Sequence, residues 1–175
     1  ETINLIAEGS IGQDAGTAIG VDASEEVNAT ADNGVIFLNA VKAVTSLPLG
    51  LIDAGTKDIT IDATGKAITD ANEIRKNIIG KNLDITAAAG IGDDGVAVDP
   101  IETGVDTLTV TANSANSVNI ENMGGLIIDG AGIIGTGTST NITVTTFDVG
   151  DDNDNLTVDG PITANNAMGV HHAWG

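Results

Sequence analysis

The chain has 175 residues, enough for one domain with a continuous core or for a section of something longer. Six basic residues face 25 acidic ones, for a formal charge of −19, and Lys and Arg occur only between Lys42 and Lys81; such a surface repels nucleic acid and anionic lipid. Cysteine is absent, which excludes disulfides and thiolate metal sites, and no run of 18 apolar residues offers a membrane span.

Aromatic residues number three, Phe37, Phe147 and Trp174. The core must therefore be built from Val, Ile, Leu and Ala. Small and branched side chains suit a narrow, regular interior. The chain opens on "ETINLI", without Met or a basic leader, and reads as a mature chain or an excised piece.

In chain order, "TINLIA", "VNATA", "VIFLNA", "KDITIDA", "NLDITA", "DTLTVTA", "SVNIENM", "GLIIDG", "TNITVTTF" and "DNLTVDG" all alternate apolar with polar residues. Each is set off by Gly, Asn, Asp or Ser. This is the pattern of short strands with one buried face. Thr, Asn and Asp fill the outward positions, and Asn can ladder when strands stack in register.

The phrase at residues 2–12, "TINLIAEGSIG", returns at 82–92 as "NLDITAAAGIG". Ile3, Leu5, Ala7, Gly9 and Ile11 match Leu83, Ile85, Ala87, Ala89 and Ile91, and Gly12 matches Gly92. A looser echo links 25–40 with 106–122: Val27, Ala29 and Ala31 align with Leu108, Val110 and Ala112. After a two-residue insertion, Val35 and Phe37 align with Val118 and Ile120. A long segment recurring with its turns is the mark of a solenoid, in which each coil buries its face by stacking on the next. Four pairs, Asn33-Gly34, Asp94-Gly95, Asp129-Gly130 and Asp159-Gly160, argue instead for hairpins. The fold expected is thus all-β, a right-handed parallel β-helix; an antiparallel β-sandwich or jelly roll is the alternative.

One stretch departs from alternation. In "DANEIRKNIIG" (70–80), Asp70 stands as an N-cap with Glu73 three residues on, Ile74 and Ile78 fall at i and i+4, and Gly80 can stop the turn. This predicts a short inserted helix near 70–80. The end of the chain, "NNAMGVHHAWG", shows no alternation. The expected organisation is a single solenoid over 1–165 and a tail, 166–175, acting as a cap or as a docking segment between subunits.

The phrases "LDITAAAGIGDDGVAVD", "DTLTVTANSANSVNIEN" and "DNLTVDGPITA" resemble the repeat region of filamentous-haemagglutinin-like adhesins, bacterial exoproteins of the two-partner-secretion type. Leu83–Gly92 with Asp93-Asp94-Gly95 carries one half of the likeness, and Thr107–Asn113 with Val118–Ile120 the other. It spans roughly residues 2–40 and 82–165; the 70–80 stretch and the final "HHAWG" lie outside the pattern. The resemblance implies a right-handed parallel β-helix and a surface or extracellular structural role.

The strongest polar cluster is "DVGDDNDNL". Asp148, Asp151, Asp152 and Asp154 are the candidate ligands of a Ca²⁺ turn, since calcium takes six to eight oxygens. Gly150, Asp154 and Leu156 fit part of the calcium-binding β-roll nonapeptide, but the motif does not recur in tandem. His171-His172 is a weak metal candidate, because adjacent strand residues face opposite ways. Asp is abundant enough for a glycosidase pair, yet one Trp, no Tyr and one Arg leave little to hold sugar or steady charge, and no nucleophile-elbow, phosphate-loop or HExxH motif occurs. The expectation is a non-catalytic filament subunit or rod segment of a surface fibre, associating with itself or continuing a longer chain. The alternative is an adhesin module recognising glycan or host protein.

Overall fold

The structure, a computed structural model, describes residues 1–40, 46–72, 75–93, 99–113, 117–137, 140–150 and 155–173. Seventeen strands follow one another: β1 (Thr2–Ala7), β2 (Ile19–Val21), β3 (Glu26–Ala31), β4 (Ile36–Ala40), β5 (Ser46–Asp53), β6 (Ile59–Ala63), β7 (Ala67–Asp70), β8 (Ile78–Ile79) and β9 (Asn82–Ala87). Then come β10 (Ile101–Gly104), β11 (Thr107–Ala112), β12 (Val118–Met123), β13 (Leu126–Gly135), β14 (Ile142–Phe147), β15 (Leu156–Val158), β16 (Ile162–Thr163) and β17 (Met168–Ala173).

The strands sort into two sheets. One runs β1-β3-β5-β8-β10-β12-β14-β17, with β7 beside β5; the other runs β2-β4-β6-β9-β11-β13-β15, with β16 beside β13. Every pairing between these strands is parallel. The chain therefore winds as a parallel β-solenoid, crossing between the sheets as it goes. The antiparallel sandwich is ruled out. Of the supposed hairpin pairs, Asp94-Gly95 lies outside the described residues, and Gly34, Gly130 and Gly160 lack the left-handed φ that a type I′ turn requires.

The alternation decides which side chains stack. In the second sheet Ile36, Ile59, Leu83, Leu108 and Ile128 occupy one register column, and Leu38, Ile61, Ile85, Val110 and Ile133 the next. All ten are buried. Burying each such side chain is worth roughly 1.5–3 kcal/mol before entropy is counted. Ala63, Ala87 and Ala112 close the same strands, where small side chains leave the chain room to leave the sheet.

The repeated phrase has an unexpected placement. Its first copy puts β1 in the first sheet and bridges Ile11 to Ile36 in the second. Its second copy puts β9 in the second sheet and bridges Ile91 to Val118 in the first. The corners match atom for atom: Ile11 N bonds Val35 O and Phe37 N bonds Ile11 O, while Ile91 N bonds Ser117 O and Asn119 N bonds Ile91 O. Gly12 and Gly92 both adopt left-handed φ, 72° and 61°, and a Cβ would strike the Phe37 carbonyl at 2.9 Å or the Asn119 carbonyl at 2.5 Å. The unit that repeats is thus one strand plus one corner, half a coil. The looser echo obeys the same swap, with β3 in one sheet and β11 in the other. Its second part slips by one residue: Ile36 and Leu38 point inward, and Phe37 faces out.

The predicted helix is absent from the described part of 70–80; Glu73 and Ile74 lie outside the described residues. Asp70 ends β7, and its Oδ1 accepts the Asn72 N–H at 2.8 Å, capping a turn instead of a helix. Ile78 is a core residue of β8, held between β5 and β10. Cross-strand pairing of two β-branched residues outweighs the i, i+4 helical signal. The rung is split here: β7 pairs with Ser46–Leu49 and β8 with Ile52-Asp53 of the same strand. The end of the chain also differs from a tail without alternation, since Met168–Ala173 forms β17 and pairs residue for residue with β14.

Candidate functional site

The two ends of the solenoid are the first candidate surface. β1 and β17 terminate one sheet, and β2 and β15 the other. Ile3, Leu5 and Ala7 of β1 are only partly buried, although their register partners Val27, Ala29 and Ala31 are sealed. At the opposite end Leu156, Ile162 and Val170 are partly covered, and Val158 and Met168 are 50% and 57% exposed. Each end thus shows a cut section of the core beside a row of edge peptide groups with no strand on the outer side among the described residues.

Of the predicted calcium ligands, Asp151, Asp152 and Asp154 lie outside the described residues. Asp148 follows β14; its Oδ1 accepts the Gly150 N–H at 2.6 Å, and its own N–H bonds Ala173 O at 3.2 Å. That carboxylate therefore organises a turn, and the described residues bring no second predicted ligand to it. Among the described residues no three His, Asp or Glu side chains converge as a metal would need. His171 and His172 face opposite ways on β17, as their adjacency dictates; Nδ1 of His172 lies 2.8 Å from Thr146 Oγ1.

Three features escaped sequence reasoning. The first is an interior column that begins Leu5, Ala29, Ile52, Ile78 and continues as Thr103, Asn122, Thr146 and His172. Asn122 is its anchor. Its Oδ1 accepts from Thr103 Oγ1 at 2.8 Å and from Val105 N at 3.0 Å. Its Nδ2 donates to the carbonyls of Val105, Gly124 and Gly125 at 3.2–3.3 Å.

The second is an open groove of about 320 Å³ on the outer face of the second sheet. Phe37, Asp58, Asn82, Asp84, Thr107 and Asp129 line it. Asn82 donates to Asp58 Oδ1 and Thr107 to Asn82 Oδ1, each at 2.7 Å, so one outward column is a hydrogen-bonded ladder. Asp84 has its carboxyl raised above the ordinary value, first by burial and then by the charge of Asp62.

The third lies where the rung is split. Glu102 of β10 is pushed up to about 7, by burial first and then by Asp70, with Glu121 and Asp99 adding smaller repulsions against its backbone hydrogen bond. Asn77, fully buried, joins the parts: its Nδ2 donates to Asp70 Oδ1 at 2.5 Å and its Oδ1 accepts Glu102 N–H at 2.9 Å. Asp70 Oδ2, Asn72 Oδ1 and Glu102 Oε2 are shut off from solvent, and none has a hydrogen-bond partner.

Comparison with family models, with curated proteins and with solved structures returned no match.

Proposed function

We propose that this chain is a non-catalytic structural rod, a filament subunit or rod segment of a bacterial surface fibre working outside the cell. The observation that carries this reading is the pair of open ends. A core cut across at both faces, flanked by free peptide edges, is completed by one more rung, supplied by a second copy or by further residues of a longer chain. A contact of that kind is head-to-tail and does not close, so it extends into a fibre. The likeness of 83–99, 106–122 and 154–164 to filamentous-haemagglutinin-like repeats supports the same role. A second reading, an adhesin stalk that recognises glycan or a host surface protein, draws on the Phe37–Asp84 groove, which combines an aromatic ring with carboxylate, amide and hydroxyl groups.

Negative-stain electron microscopy of the purified chain at micromolar concentration tests the first reading. Uniform fibres, lost when Leu5→Asp puts a charge on the open rung, are expected. Isolated short particles in the parent chain would overturn self-assembly, and a glycan screen with a Phe37→Ala control would then test the second reading.

A further inference from the structure

The split rung and the rung beside it hold three buried oxygen acceptors without donors, which is a rare condition in a folded chain and calls for an ion, a proton or water. Two belong to carboxylates from different coils, Asp70 on β7 and Glu102 on β10, and the third to the amide of Asn72. Asn77 fixes the arrangement, because its single side chain binds Asp70 Oδ1, the Leu49 carbonyl and the Glu102 N–H. Asp70 thus has one carboxylate oxygen anchored and one left over, and Glu102 is held by its backbone while its Oε2 has no partner. A buried acceptor with no partner is destabilising, and the charge of Asp70 adds repulsion at Glu102.

We propose that this break in the coil is a divalent-cation site of calcium type, with Asp70 Oδ2, Asn72 Oδ1 and Glu102 Oε2 as protein ligands and water completing the shell. All three donors are hard oxygens, the set that calcium accepts, and two carboxylates mixed with an amide oxygen suit its flexible coordination better than the strict octahedron of magnesium. One proton shared between the carboxyls satisfies two of the oxygens and leaves Asn72 Oδ1 alone; a cation serves all three. Only two of these ligands are carboxylates, so the place has no trio of acidic side chains to mark it. Independently of the rod reading, the ion ties β7 to β10 across a rung whose strand is interrupted.

The test is calcium titration of chelator-treated chain by calorimetry, with thermal unfolding alongside. Expected are saturable binding at this site and a Tm rise of about 5–10 °C when calcium stands a hundredfold above its Kd. Glu102→Gln, which keeps the shape, should weaken binding at least about tenfold, and Asp70→Asn likewise. Asp148→Asn should leave this binding unchanged. Asn72→Asp, which adds a charge, should tighten it, so a failure of the other variants to fold does not shield the proposal. A parent chain whose Tm ignores calcium overturns it, as does binding that survives Glu102→Gln or fails to respond to Asn72→Asp. Stabilisation by acid alone, with no effect of calcium, assigns the oxygens to a shared proton and also overturns it.

Discussion

Replacing Asn122 by Leu keeps the branched skeleton of four side-chain heavy atoms and removes the polar anchor of the interior column. Asn122 is fully buried and reaches four other residues. Leu strands the Val105 N–H and C=O, both at the buried corner between β10 and β11. Each orphaned buried backbone group costs about 1–3 kcal/mol. Thr103 loses less, because its hydroxyl also lies 3.4 Å from the Glu121 carbonyl. The apolar side chain returns about 1–2 kcal/mol through burial. The net loss expected is about 2–4 kcal/mol. Urea unfolding followed by circular dichroism reads the total, and hydrogen exchange reads the location. Because coils contact mainly their neighbours, the Val105 amide should lose protection before amides of β3 and β4 do. A loss under about 1 kcal/mol with Val105 exchange unchanged would refute the reasoning.

Three further outcomes follow. Ile85→Ala, in the middle of a sealed column, should lower stability by about 2–5 kcal/mol in the same assay. Gly92→Ala forces a Cβ against the Asn119 carbonyl at a left-handed φ and should cost about 1–3 kcal/mol, with exchange at the Ile91–Val118 bridge the first to rise. In chelator, Glu102 should make stability fall with pH. Its folded pKa of about 7 exceeds the ordinary 4.5, so its favourable contribution is complete below pH 4.5 and is lost as pH rises through 7. After discounting for partial exposure, the parent chain should lose about 1–2 kcal/mol between pH 4.5 and 8 relative to Glu102→Gln. Equal pH curves for the two would remove Glu102 as the cause.

The alternation and the repeat were legible because they are what stacking demands. Ile3, Leu5 and Ala7 and their later counterparts must face one interior, and the eye finds them at a period of two. Which sheet each copy joins was not legible, since a strand and corner have the same pattern on either side of the coil. The Phe37 slip has the same root: "VIFL" is apolar throughout, so parity could not be read from it. In β17 the inward residues are Met168, Val170 and His172. Polar histidines on both faces hid an ordinary strand. The helix at 70–80 failed because Ile78 serves a rung, not a helical stripe. The Asp70, Asn72 and Glu102 oxygens could not be anticipated, because residues some 30 positions apart meet only through coil stacking. The predicted acidic turn shows the reverse: the density of Asp after Asp148 is plain in sequence, and the one described member turns its oxygen on its own backbone.

The architecture rests on parallel, in-register stacking, and the absence of native cysteine makes that directly testable. Thr60 and Asp84 are register partners on the outer face of β6 and β9, and Asp84 is in turn the partner of Thr109 on β11. Adjacent rungs stand about 4.8 Å apart, within the Cα separation that a disulfide spans, and alternate rungs stand about twice that. Under mild oxidation the Thr60→Cys/Asp84→Cys chain should close an intramolecular disulfide, seen by thiol counting and peptide mapping, while Thr60→Cys/Thr109→Cys stays reduced. No bond in the first chain, or equal bonding in the second, would contradict the stacked coil from which the rest of the account is built.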